Sequence, residues 1–213
     1  MNLLKRLMSV DGLGETRAKE LISQGVKSIG DLRKDKIIDK LPLQAQLYLD
    51  HKPLKKIPRD LITEITDKIY RIFRKRILVL GSYRRELKFS RDIDIQVFAD
   101  LGKTKIKEEL ETVLNKIGRW MPYSSGVDKM SGYFRLGKTV VKMDFFGSKS
   151  PFMTLYATGS KEWNIYMRAL AKSKGLLLNQ NGLYRGETAV QGLKTEADIF
   201  KYLDIPWRDP KNR

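Results

Sequence analysis

The sequence predicts an α+β protein, and three observations carry that prediction. Residues 1–50 read as short helices broken by tight turns, ETRAKELISQG ending at Gly25 and SIGDLRK among them. After an amphipathic segment, DLITEITDKIYRIFRK behind Pro58, the period changes: ILVLGS, DIDIQVFA, SGYFRLG and TVVKMDFFG are short runs rich in Ile, Val and Phe, the composition of strands. From Pro151 onward a helical pattern, KEWNIYMRALAKSKG, mixes with short extended pieces, LLLNQ and GLYRG. Three units are expected: a helical unit over 1–70, a sheet-and-helix unit over 71–147 and an α+β unit over 148–213.

Within the middle unit, KTKIKEELETVLNKIG has helical spacing that puts Ile106, Leu110, Val113, Leu114 and Ile117 on one face. No tandem repeat or low-complexity segment interrupts the chain. Trp120 and Trp207 are expected to pack in the core or at seams between units, and His51 to sit at a surface or helix end.

Composition narrows the function. The 213 residues are 41% hydrophobic and 31% charged, a soluble globular balance, and no apolar run approaches the roughly 20 residues of a membrane helix. The N-terminus, MNLLKRLMSVDGLGE, lacks the apolar stretch and cleavage site of a secretory signal. Lys and Arg number 42 against 25 Asp and Glu, a formal charge of +17 spread along the chain. That excess favours a polyanion partner held on a folded basic surface over a detachable tail. There is no cysteine and one histidine, His51. Thiolate zinc sites are excluded, and histidine-based triads and multi-histidine metal sites nearly so, which points any chemistry to carboxylates, hydroxyls, Lys and Arg. The lack of cysteine fits a reducing, intracellular compartment, whether nucleus, cytoplasm or virion.

Four motifs carry chemistry. In DGLG, Asp11–Gly14, a Gly-x-Gly hairpin between two short helices exposes backbone N–H groups at Gly12, Gly14 and Thr16, where the second helix begins. Those donors and the helix dipole suit a DNA phosphate; an ordinary helix corner is the alternative. GSYRR, Gly81–Arg85, follows the strand ILVL with a tight turn, a hydroxyl and two guanidiniums, suited to a triphosphate or else a solvated basic turn. In SRDIDIQVF, Asp92 and Asp94 are two apart on a strand and share a face, opposite Ile93, Ile95 and Val97. Adjacent carboxylates repel, and a cation relieves the repulsion; a charged solvent face is the alternative. Asp144 stands alone in the apolar run VVKMDFFG. If its strand lies beside Asp92–Asp94, three carboxylates form a ligand set for two divalent ions; pairing with Lys142 is the simpler reading.

Taken together, GSYRR, SRDIDI, KMD, LYATGSKEWNIYMRAL and the closing DIFKYLDIPWRDPKNR resemble DNA polymerase beta and its relatives in the polymerase X family. The resemblance runs from about Met8 to the last residue, and the small size resembles compact viral members. It implies a nucleotidyltransferase-fold palm between a helix-hairpin-helix unit and a C-terminal nucleotide-selecting unit. It implies a monomer, with no membrane, that adds deoxynucleotides from triphosphates to a DNA primer, most naturally filling gaps in repair. It implies catalysis by two Mg²⁺ ions, with Mn²⁺ able to substitute, on Asp92, Asp94 and Asp144.

By matched position, Gly81, Ser82 and Arg85 contact the triphosphate, joined by Ser90, Arg91 and Lys56. Arg91 stands where the family has Gly, and Lys56 where it often has Arg. Tyr156, Ala157 and Gly159 match the turn against the incoming sugar, with Ala157 replacing a common Phe. Asn164 matches a contact to the incoming base, Arg168 one to the template strand, and Lys142 joins the DNA contacts. The carbonyls of Met8, Val10 and Leu13 match a monovalent-cation site. Larger members carry an amino-terminal lyase domain, and a lyase role is not implied here. Two rivals stay open: a template-independent terminal transferase on the same fold, and a non-catalytic DNA-binding protein, against which the acidic cluster argues.

Overall fold

The computed structural model describes residues 2–73, 76–102 and 104–213. The chain opens with two short helices, α1 (Leu3–Leu7) and α2 (Glu15–Ser23), joined by the DGLG hairpin. A 3-10 turn (Gly30–Arg33) and helices α3 (Asp35–Ile38) and α4 (Leu43–His51) follow. Leu7, Val10, Leu13, Leu21, Leu32 and Leu49 close a small core of their own. Gly12 is needed for geometry: its φ is +89°, and a β-carbon there would lie 3.0 Å from the Ala45 backbone nitrogen. The hairpin is thereby pressed against α4.

A two-residue strand, β1 (Ile57–Pro58), leads into α5 (Arg59–Phe73). This helix crosses the expected boundary at residue 70. Ile62, Ile65, Ile69 and Phe73 are buried in the core of the central sheet, because their 3- and 4-residue spacing makes one apolar stripe. The sheet has the order β2-β4-β7-β6-β5, formed by β2 (Ile77–Val79), β4 (Ile93–Val97), β5 (Arg119–Ser125), β6 (Lys129–Leu136) and β7 (Thr139–Gly147). Between β2 and β4 lie a one-turn helix, α6 (Gly81–Arg84), and β3 (Phe89–Ser90), which pairs with β1. Helix α7 (Thr104–Ile117) covers the sheet with Leu110, Val113 and Leu114.

The C-terminal unit holds α8 (Pro151–Thr158), α9 (Lys161–Ser173), a small sheet of β8 (Leu177–Leu178), β9 (Leu183–Arg185) and β10 (Thr188–Ala189), and α10 (Glu196–Tyr202). Its core gathers Phe152, Trp163, Met167, Leu183 and Phe200. Trp120 is buried in the sheet's core, whereas Trp207 is half exposed against Phe200 and the Arg213 guanidinium. His51 ends α4 and bonds Arg135 of β6 at 2.7 Å.

Buried polar contacts fix this unit on the sheet. The Gln96 amide, fully buried on β4 two residues after Asp94, donates to the carbonyls of Ser148 (2.8 Å) and Ser150 (3.3 Å) and accepts from Thr154 Oγ1 (2.6 Å). Arg84 donates to Thr158 Oγ1 (2.6 Å) and to both oxygens of Glu196, which also accepts from Arg213.

Candidate active site

Strands β4 and β7 run parallel, and their register sets Asp94 directly beside Asp144. Asp92 lies one residue before β4, so the strand begins between the two carboxylates. The intervening Ile93, with Ile95 and Val97, is fully buried on the opposite face, as period-two alternation requires. Burial and then the charges of Asp92 and Asp144 push the Asp94 carboxyl far above the carboxylate range, to about 8. The backbone leaves it little room: Gly81, at φ +57°, packs so close that a β-carbon there would stand 2.1 Å from Asp94 Oδ2. The glycine of GSYRR thus makes room for the carboxylate, a role separate from the triphosphate turn the sequence suggested for it.

Two ammoniums offset the acidic cluster. Lys129 Nζ stands 3.1 Å from Asp144 Oδ2, and Lys142 Nζ 3.5 Å from Asp92 Oδ2. Burial would lower the Lys142 pKa, but Asp144, Asp92 and Asp11 outweigh it and hold the ammonium above its ordinary value. Lys142, expected among the DNA contacts, here faces the carboxylates. Among the described residues no three acidic or histidine side chains close on one point as an ion site. The chemistry of the three carboxylates nevertheless suits a hard divalent cation, and Asp144 Oδ1 is buried without a hydrogen-bond partner.

Ser82, Arg85, Ser90, Arg91, Lys56 and Ala157 line one open cleft of about 1050 Å³ together with Asp92, Asp94 and Lys142. Sequence reasoning drew these positions from separate segments. What joins them is a hydrogen bond between the Ser82 and Ser90 hydroxyls, 2.7 Å, and the pairing of β3 with β1. Instead of the bare turn expected after β2, Gly81–Arg84 form a helical turn that aims Arg85 at the Thr158 carbonyl. Gly159 (φ +68°) keeps the backbone clear of Arg85, whose Nη1 would be 3.1 Å from a β-carbon.

Tyr156, Asn164 and Arg168 stand apart from that cleft in a small crevice with Phe152 and Asn179. Asn164 Nδ2 donates to the Tyr156 carbonyl at 2.8 Å, and the Arg168 guanidinium lies 5.4 Å from the centre of the Tyr156 ring. At the hairpin, Gly14 caps α2 without a side chain, Gly12 and Thr16 are exposed, and the Val10 carbonyl accepts the Leu13 N–H. Met8 and Asp11 reach the cleft's edge, and Asp11 Oδ2 accepts from the buried Tyr133 hydroxyl at 3.2 Å. Sequence reasoning missed Lys129, Gln96 and the Arg84–Glu196–Arg213 cluster. Arg84, Gln96 and Arg213 lie inside quoted motifs, but no local pattern shows their partners: Arg84, expected with Arg85 at a triphosphate, instead holds Thr158 and Glu196, and nothing in the sequence around Lys129 separates it from a lysine facing solvent.

A mixed sheet with paired carboxylates on adjacent strands, a Gly-Ser turn beside them, a helical unit before it in the chain and an α+β unit after it defines a nucleotidyltransferase of the polymerase beta type. Residues 153–213 match the DNA polymerase beta thumb family. Repair DNA polymerase X of African swine fever virus, in a South African tick isolate, is 30% identical over 167 residues, 75% of this chain and 95% of the viral protein. The same protein from a Namibian warthog isolate is likewise 30% identical over 167 residues. Crystal structures of Leishmania infantum polymerase beta match across 99% of the chain. The ternary P/T complex has a TM-score of 0.81 at 26% identity over 97% of that chain. The ternary gap complex has 0.81 at 25% over 89%. The chain belongs to the X family of DNA polymerases.

Proposed function

We propose that the chain is a repair DNA polymerase that extends a primer 3′-hydroxyl with deoxynucleotides, best suited to short gaps in DNA. The reading rests on one observation above all, the register of Asp94 beside Asp144, with Asp92 and Asp94 lining a cleft edged by Ser82, Arg85 and Arg91. Asp92, Asp94 and Asp144 would hold divalent cations, Mg²⁺ by preference and Mn²⁺ in its place. When bound, these supply charge neutralisation for the triphosphate and acidify the attacking hydroxyl. The protein's own part is positioning. Ser82 and the guanidiniums of Arg85 and Arg91 hold the triphosphate by charge-assisted hydrogen bonds. Lys56 adds a charge from across the cleft. Tyr156, Ala157 and Gly159 wall the sugar, Asn164 and Arg168 face the base pair, and the exposed Gly12–Thr16 turn offers backbone donors to the DNA backbone.

Primer extension on a one-nucleotide gap tests the reading, run with and without Mg²⁺ and with the template strand present or replaced by a single strand. Extension that requires both the metal and the template is expected. Extension of single strands at the same rate would instead identify a terminal transferase. Binding with no extension under any metal would leave only a DNA-binding role.

A further inference from the structure

The acidic cluster brings its own counter-ions, and one of them is not explained by the polymerase reading. Lys129 begins β6 and pairs in register with Phe146, while Asp144 pairs with Ser131. Lys129 and Asp144 are therefore diagonal neighbours on one face of the antiparallel pair, within reach of a long side chain. The ammonium bonds Asp144 Oδ2 at 3.1 Å and lies 5.0 Å from the centre of the Phe146 ring. The two partners differ in exposure: the Asp144 side chain is 9% exposed and Lys129 48%. Asp144 is fixed by its strand, and its second oxygen is buried without a partner. Lys129 hangs on a flexible stem with open solvent beside it.

We propose that Lys129 is an exchange residue: it neutralises Asp144 while the carboxylate carries no divalent cation, and leaves it for a DNA phosphate when one binds. This rests on the carboxylate-site reading above. A +1 ammonium and a divalent cation cannot share one carboxylate oxygen at close range without strong repulsion, so binding one weakens the other. DNA phosphates offer the ammonium an equivalent partner. DNA therefore removes a competitor from Asp144 and tightens cation binding, and the cation in turn frees a positive charge for DNA. The coupling is reciprocal by linkage. It would keep the free enzyme from holding cations tightly and load the site when DNA arrives.

The test is Mn²⁺ binding, followed by the electron paramagnetic resonance of free Mn²⁺, in the full-length protein. It uses wild type, K129M, K129R and D144N, each alone and with a dideoxy-terminated primer–template that cannot react. K129M keeps the stem's length and removes the charge; K129R keeps the charge. Without DNA, K129M should bind Mn²⁺ about 5- to 20-fold more tightly than wild type, the scale expected for removing a close, part-screened charge, while K129R stays near wild type. DNA should tighten Mn²⁺ binding in wild type and do so less in K129M. If K129M and wild type bind alike, with D144N weaker than both, Lys129 is not a competitor and the proposal fails on its own. If D144N binds as wild type does, the carboxylate site itself is misassigned and the proposal falls with it.

Discussion

Asp94 is the residue on which geometry and charge press hardest. A carboxyl raised to about 8 from an ordinary 3.8 binds a proton in the folded chain that the unfolded chain has released. Its contribution to stability is therefore full below about 3.8 and is lost as pH rises towards 8, since the native state binds more protons across that window. We predict that, in a chelator, the melting temperature falls between pH 6 and pH 8. D94N should flatten that slope, and Mg²⁺ should raise the melting temperature more at pH 8 than at pH 6, because it binds the ionised form. Thermal melts over pH with EDTA or Mg²⁺ check this, and a D94N slope equal to wild type would refute it.

Asp144→Asn should lower the extension rate on the order of 10²-fold or more, because a ligand for the reacting centre is lost. DNA affinity should stay within a few-fold of wild type, as read by single-turnover extension beside a binding titration. G81A, in contrast, should act through packing. A β-carbon 2.1 Å from Asp94 Oδ2, at a φ of +57°, should destabilise the fold by about 2 kcal/mol or more, measurable by denaturant unfolding. The adjacency of Asp94 and Asp144 was legible in the sequence because carboxylates two apart in an alternating strand, and one alone in an apolar run, are anomalies that set those positions apart. Lys129 was not legible, because its pairing with Asp144 depends on the β6–β7 register.

At the scale of elements, the helices with clear 3.6-residue stripes were read correctly in kind, α5, α7 and α9 among them. The strand β5 was not read, since Pro122 interrupts it, a bulge follows, and its end is the polar pair Ser124–Ser125. The place of α5 was also hidden, because an amphipathic stripe does not say which core will cover it. The joint between α6, α8 and α10 depends on Arg84, Glu196 and Arg213, whose Glu196 side chain is 8% exposed. A buried carboxylate between two guanidiniums contributes little compared with an apolar trio, but removing it alone leaves two charges unpaired. E196A is expected to destabilise the C-terminal unit by about 3–5 kcal/mol. The triple replacement R84M/E196L/R213M should recover much of that loss. Tryptophan fluorescence of Trp163 and Trp207, both packed against Phe200, reports this unit's unfolding. Equal stability of E196A and wild type would show that the cluster is solvated in the working protein.

At the scale of the whole molecule, a cluster of carboxylates sits in a cleft edged by basic side chains, within a chain of formal charge +17. The carboxylates suit cations, while the basic side chains at the cleft's edge and over the exterior suit phosphates. The sequence made that exterior legible by count alone, whereas the cleft needed the fold to draw Lys56, Ser82, Ser90 and Asp94 together. Such a surface attracts any polyanion, and the exposed Gly12–Thr16 turn offers backbone donors that read no base. We therefore predict binding to duplex DNA that is nearly blind to sequence and falls steeply with salt. Each neutralised phosphate adds about −0.9 to the slope of log K against log salt, so a slope steeper than about −3 is expected. Anisotropy titrations on two unrelated duplexes, from 50 to 200 mM salt, measure both properties. A shallow slope, or affinities differing by more than about tenfold between the duplexes, would mean that base contacts rather than the basic exterior hold the DNA.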